Sequence, residues 1–182
     1  MLTGLKTNSD LLFISQSLDM PDGGNSNQLT VSLPLNTLER QVFVVTDIVA
    51  YVTDTSNQSS AVVNQDIDYS WSLSSTDLSQ SLASGFTGNI GNPRVLAAGG
   101  YKLSIGATGE SFFREWNTAN SSTGTPSDYL GIIATPDYFI RGQYNNAAGI
   151  GSAVLEIRMV GYMAIASADT YAALVTQEVN SQ

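Results

Sequence analysis

Gln41-Val42-Phe43-Val44-Val45-Thr46-Asp47-Ile48-Val49-Ala50-Tyr51-Val52 is the stretch whose reading decides the fold. β-branched and aromatic residues dominate it, the composition that packs well on a pleated surface. Read with strict alternation over residues 40–53, Val42, Val44 and Ile48 share one face. Phe43, Val45, Val49 and Tyr51 share the other. Both faces are apolar, so the strand is central in its sheet or lies beneath a partner subunit. Phe43, Val45, Val49 and Tyr51 are therefore the candidate assembly residues.

Working outward, residues 67–74 alternate without exception: Ile67, Tyr69, Trp71 and Leu73 against Asp68, Ser70, Ser72 and Ser74. That is the pattern of a half-buried strand. Residues 28–33 alternate Leu29, Val31 and Leu33 against Thr30 and Ser32. Further strand-like pieces fall at 94–105, 111–116, 129–134 and 137–144. The last strand, residues 152–167, sets Leu155, Ile157 and Met159 against Glu156 and Arg158, then turns apolar. Loops rich in Ser, Gly, Asn and Pro separate these pieces at 19–27, 75–93, 117–127 and 145–151, where such residues favour turns.

The N-terminus stays open. Ser9 can cap a short helix over residues 10–14, but the same run fits an edge strand or an extended arm. At the other end Tyr171, Leu174 and Val175 recur at helical spacing, which suits a short helix over residues 168–179. Residues 1–27 are thus expected as arm and loop, 28–167 as the domain, and 168–182 as a tail or short helix. The fold class is all-β: an antiparallel sandwich, most simply a jelly roll of about eight strands.

Composition narrows the function. Of 182 residues, 42% are hydrophobic and 13% charged, against about 25% charged in an average protein. The polar surface must come from Ser, Thr, Asn and Gln. Seven cations face 16 carboxylates, for a formal charge of −9. Lys6, Arg40, Arg94, Lys102, Arg114, Arg141 and Arg158 are scattered singly, whereas phosphate binding needs cations in clusters. Nucleic-acid and anionic-membrane binding are not expected, and no apolar run approaches the ~18 residues of a membrane span. The chain holds no Cys and no His, which excludes disulfides, thiolate sites, Ser-His-Asp triads and histidine-ligated metals. No signal-peptide pattern opens the sequence, so synthesis in the cytoplasm is expected.

Several constellations remain. Glu110 and Glu115 flank Phe112, Phe113 and Trp116, a pairing of carboxylates and aromatics that glycoside hydrolysis uses. Five residues apart on one strand they point to opposite faces, and exposed edge carboxylates are the plainer reading. Asp19, Asp22 and Asn25 cluster oxygen ligands of the kind calcium takes, without EF-hand spacing; Asp66 and Asp68 are a weaker set. Turn formation explains the first group as well. Residues 85–91 carry phosphate-loop glycines without the following Lys or helix. Trp116 and Tyr129 are the candidates for stacking on a glycan, against a plainer role in packing. Sequons begin at Asn57 and Asn120. No enzyme activity and no cofactor is expected, calcium being the one candidate.

The run from residues 28–33 into the long strand 41–52, the variable polar loops, and the closing strand Ala153 to Met163 with a short tail resemble small viral coat proteins of the single jelly-roll kind. The likeness covers residues 28–167 and rests on strand rhythm. It implies a phage-type capsid or other virion protein that self-assembles, with copies of itself and other virion proteins as partners. One departure concerns the genome: residues 1–27 hold one Lys against three Asp, unlike a basic packaging arm. The alternative is a carbohydrate- or receptor-binding β-sandwich.

Overall fold

The structure, a computed structural model, describes residues 4–21, 23, 26–54, 65–78, 94–117, 129–146 and 152–179. The strands are β1 (Leu5–Thr7), β2 (Leu12–Pro21), β3 (Ser26–Ser32), β4 (Gln41–Asp54) and β5 (Gln65–Ser74). They continue with β6 (Val95–Ile105), β7 (Ser111–Asn117), β8 (Gly131–Ile133), β9 (Asp137–Asn146) and β10 (Ser152–Ala166), and the chain closes on helix α1 (Ala168–Val179).

All described pairings are antiparallel, in two five-stranded sheets. Sheet A runs β2–β10–β4–β8, with β1 beside β10 beyond the end of β2; sheet B runs β3–β9–β5–β6–β7. Nesting is the informative feature. β2 pairs with β10, β3 with β9, β4 with β8 and β5 with β6, so the first half of the chain pairs with the second in reverse order. A long hairpin rolled up on itself gives this order, and it is a jelly roll with β7 added at one edge. The expected fold class is the observed one.

The core lies where the inner faces meet. Ala153, Leu155, Ile157, Met159 and Met163 of β10 join Trp71 and Leu73 of β5 and Tyr138, Ile140 and Tyr144 of β9, all buried. The outer face of β5 is not solvated as its alternation implies. Ser72 and Ser74 are buried beside a small cluster of Leu78, Val95 and Ala98, and Ser74 satisfies its hydroxyl by donating to the Thr76 carbonyl at 2.9 Å.

Residues 12–21 form an edge strand, one of the readings left open for this run, rather than an arm passing into a loop at residue 19. They pair with β10 from Leu12 opposite Gly161 to Pro21 opposite Ser152. Leu12, Ile14, Leu18 and Met20 turn to the core while Phe13, Ser15, Ser17 and Asp19 turn out. Inward Gln16 interrupts the apolar series and hid the period; Pro21 is tolerated because it ends an edge strand. Between β1 and β2 the Ser9 hydroxyl accepts the Met163 amide at 2.8 Å, so Ser9 patches the ladder and caps no helix.

A second correction falls within the deciding strand. Val45 stands opposite Gly161 and Asp47 opposite Val160, leaving Thr46 as an extra residue. Its hydroxyl donates to the Val160 carbonyl at 3.1 Å. A bulge of this kind shifts side-chain alternation by one. Phe43 and Val45 point inward before it, and Ile48, Ala50 and Val52 after it. Val49 and Tyr51 consequently leave the face of Phe43 and Val45 and point out.

The outer face at the start of β4 is covered by the chain itself. Helix α1, whose first-turn Thr170 amide is met by the Ser167 hydroxyl at 3.3 Å, lays Tyr171, Leu174 and Val175 over Val42, Val44, Ala134, Ala164 and Ala166. The expected helix is present at the expected residues. The apolarity of both faces of β4 is thus explained at this end by α1, without a partner.

Candidate assembly surface

Helix α1 covers only one end of sheet A. Beyond it the outer face is built from three strands whose registers place side chains in rows. Phe13, Val160 and Asp47 form the row nearest α1; then come Ser15, Arg158 and Val49, then Ser17, Glu156 and Tyr51, and last Asp19, Val154 and Thr53. Phe13 is 64% exposed, Val49 52% and Tyr51 65%. A shallow depression of about 600 Å³ lies here, lined by Ser15, Ser17, Val49, Tyr51, Glu156 and Arg158. The Arg158 guanidinium donates from Nε to the Ser15 hydroxyl at 3.4 Å. The arrangement mixes exposed apolar side chains with serines and sets one cation and one carboxylate at its centre, suited to contact with protein.

Of the four assembly residues expected from sequence, two are here and two are not. Phe43 and Val45 are fully buried between the sheets, where no second subunit can reach them. The Thr46 bulge separates them from Val49 and Tyr51. Phe13, Glu156 and Arg158 complete the face; the alternation of residues 155–159 placed the last two outward, but only the register shows them between Ser15, Ser17, Val49 and Tyr51.

The other candidates lie apart. Glu110 sits in the turn between β6 and β7, fully exposed, accepting a hydrogen bond from the Thr108 hydroxyl. That bond and nearby backbone amides hold its carboxyl below the usual range, the opposite of what a general acid needs. Glu115 is exposed on β7, opposite Tyr101. Asp66 pairs with Lys102 at 3.1 Å, and hydrogen bonds from Ser104 and Lys102 lower its pKa, whereas burial raises that of Asp68. Asp19 is exposed on β2, its carbonyl accepting the Asn27 side-chain amide at 2.8 Å. Asp22, Asn25, the glycines of residues 85–91 and both sequon asparagines lie outside the described residues. Among the described residues no three carboxylates gather as metal ligands would.

Trp116 is half-buried on β7 against Gly100, with the Arg114 guanidinium 5.5 Å from its ring centroid. Tyr129 is half-buried among the residues beneath α1. Each has a packing role, and they stand on different elements rather than forming one stacking platform.

Two buried charges were not singled out from sequence. Arg141 of β9 is 8% exposed and donates to the Leu78 carbonyl at 3.2 Å and the Ser26 hydroxyl at 2.7 Å, clamping residues 77–78 over sheet B. Burial pushes its pKa down, and the Asp77 carboxylate counters this. Glu178, near the end of α1, is 7% exposed and accepts the Ala134 amide at 3.1 Å. Burial raises its pKa, with hydrogen bonds from Ala134 and Thr135 in part opposing.

A folded-state pKa above the unfolded value favours the fold while the group is protonated. Glu178 therefore contributes stability below its unfolded pKa that is lost as pH rises through the raised folded value. Denaturation midpoints of the wild type and Glu178→Gln, measured from pH 4 upward, are expected to diverge, with the wild type losing ground across that window. Parallel curves would contradict this role.

The winding of the sheets, independently of any relative, defines a jelly-roll β-sandwich. No protein-family model matches the chain, and no curated protein does. Among solved structures it is similar to the unassembled pentamer of Merkel cell polyomavirus VP1, at 10% identity and a TM-score of 0.43, over 90% of this chain and 99% of that one.

Proposed function

We propose that this chain is a non-enzymatic structural subunit that self-assembles, and that its place is the virion, as a phage-type capsid protein or other coat component made in the host cytoplasm. The observation that carries the reading is the uncovered half of the outer face of sheet A, where Phe13, Val49 and Tyr51 stand in solvent. Contiguous exposed apolar side chains on a β-sandwich mark contact with another protein. The sparse charge and Ser/Thr/Asn-rich surface suit repeated contacts between like subunits. Other virion proteins are the expected further partners, and the reading requires no cofactor.

The glycan- or receptor-binding alternative rests on Trp116 and Tyr129, and both are half-buried against their own fold. Negative-stain microscopy of the purified chain at high micromolar concentration tests the proposal. Shells, rings or filaments of repeating units are expected. Fields of isolated monomer-sized particles at every concentration and salt would refute it.

A further inference from the structure

We propose that a second copy of this chain docks face to face on the uncovered half of sheet A, about a two-fold axis crossing β10 at the level of Ile157. The inference rests on the assembly reading and names the contact through which assembly begins. It follows from the charges on the face and their registers.

Glu156 and Arg158 lie two residues apart on the central strand, on the same outward side. Two copies can oppose this face with their β10 strands parallel or antiparallel. With the axis along β10, Glu156 meets Glu156 and Arg158 meets Arg158, which repels. With the axis in the interface plane and across the strands, Glu156 of each copy meets Arg158 of the other, twice over. An isologous contact requires this self-complementarity, and like-charge juxtaposition excludes the other arrangement.

The same rotation matches the neighbouring columns. Reversing the rows about residue 157 sets Tyr51 against Val49 on β4, and on β10 lays Val154 over Val160, which is itself only 9% exposed. Ser17 then meets Ser15 on β2, and Thr53 meets Asp47 on β4. One pair, Asp19 with Phe13, is mismatched, and it falls at the corner of the patch. Aligned sheets cross at about 30°, which keeps the central rows together and parts the corners.

The space beside α1 fits a sheet. Facing sheets pack about 10 Å apart, and a helix with its side chains is about 10–12 Å thick. Helix α1 covers the outer face at the end beyond Val160, so a docked sheet continues the layer that α1 begins. Three strands about 4.8 Å apart and eight residues of about 3.3 Å rise cover roughly 400 Å² in projection. That is about half of what each partner contributes to a standard stable interface. The contact is therefore weak and reversible by itself, as a building contact in a larger assembly is.

A charge-swap series in the full chain tests it, read by sedimentation velocity over a concentration series. Glu156→Arg places two cations on the face and Arg158→Glu two carboxylates. Each alone is expected to weaken self-association about tenfold or more, since both charge pairs turn repulsive at once. Glu156→Arg/Arg158→Glu together keep the net charge and restore the pairing, so wild-type association is expected. An equimolar mixture of the two single variants, opposing a cationic face to an anionic one, is also expected to associate. Both side chains are exposed, and matching circular dichroism spectra confirm that all variants are folded. Single variants that associate like the wild type overturn this contact while leaving the assembly reading standing. So does a double variant or mixture that stays as weak as the singles. A wild type that remains monomeric throughout overturns both.

Discussion

Gly161→Val is expected to lower the urea denaturation midpoint steeply. Gly161 sits on β10 at the point where the Thr46 bulge shifts the register of β4. A Cβ there would collide with the Val44 carbonyl oxygen, and would lie 2.7 Å from the Phe43 ring. The requirement is for space between backbones, not for an unusual φ. Overpacking a core costs typically 1–3 kcal/mol when side chains can yield. Here the nearest obstacle is the backbone of β4, the strand paired along β10 on that side, so a cost of about 3 kcal/mol or more is expected, a large part of the 5–15 kcal/mol that holds a domain. Urea denaturation followed by tryptophan fluorescence measures it. An unchanged midpoint would mean that β4 and β10 are not apposed as described.

Removing α1 by ending the chain at Ala166 is the second large effect. Val42, Val44, Ala134, Ala164 and Ala166 are 0–1% exposed beneath it. Uncovering two valines, three alanines and the edges of Ile132 and Tyr162 forfeits on the order of 5 kcal/mol at about 25 cal/mol per Å² of apolar surface. It would also join the newly bared end of sheet A to Phe13, Val49 and Tyr51, making one continuous apolar face. The truncated chain is expected in the insoluble fraction, and any soluble remainder is expected to bind a hydrophobic dye strongly. A soluble truncated protein with wild-type stability would show that α1 does not lie on the sheet.

The two effects also indicate how far the sequence could be read. Period two in residues 28–33, 67–74 and 152–159 located strands because one face of each meets the core. The 3.6-residue spacing of Tyr171, Leu174 and Val175 located α1 for the same reason. The exchange of faces within residues 41–52 was illegible, because Thr46 carries no mark that distinguishes a bulged threonine from one in regular pairing. Phe43 and Val45 were therefore grouped with Val49 and Tyr51, although one pair is core and the other surface. β2 was obscured by inward Gln16.

Ser72 stands opposite Ala98 and Ser74 opposite Val95 on β6, a long-range pairing that no local window contains. The proposed assembly face has the same origin. Phe13, Val49, Tyr51, Glu156 and Arg158 come from three separate strands, and only the registers of β2 and β4 on β10 make them neighbours.

Footprinting of the wild-type chain by hydroxyl radicals, with mass spectrometry across a concentration series, tests most directly whether further copies cover that face. Oxidation at Tyr51 and Val49 is expected to fall as concentration rises, while Leu38, 94% exposed on the short turn before β4 and outside the rows of that face, keeps its dilute-solution rate. Tyr51 oxidised equally at the lowest and highest concentrations would contradict it.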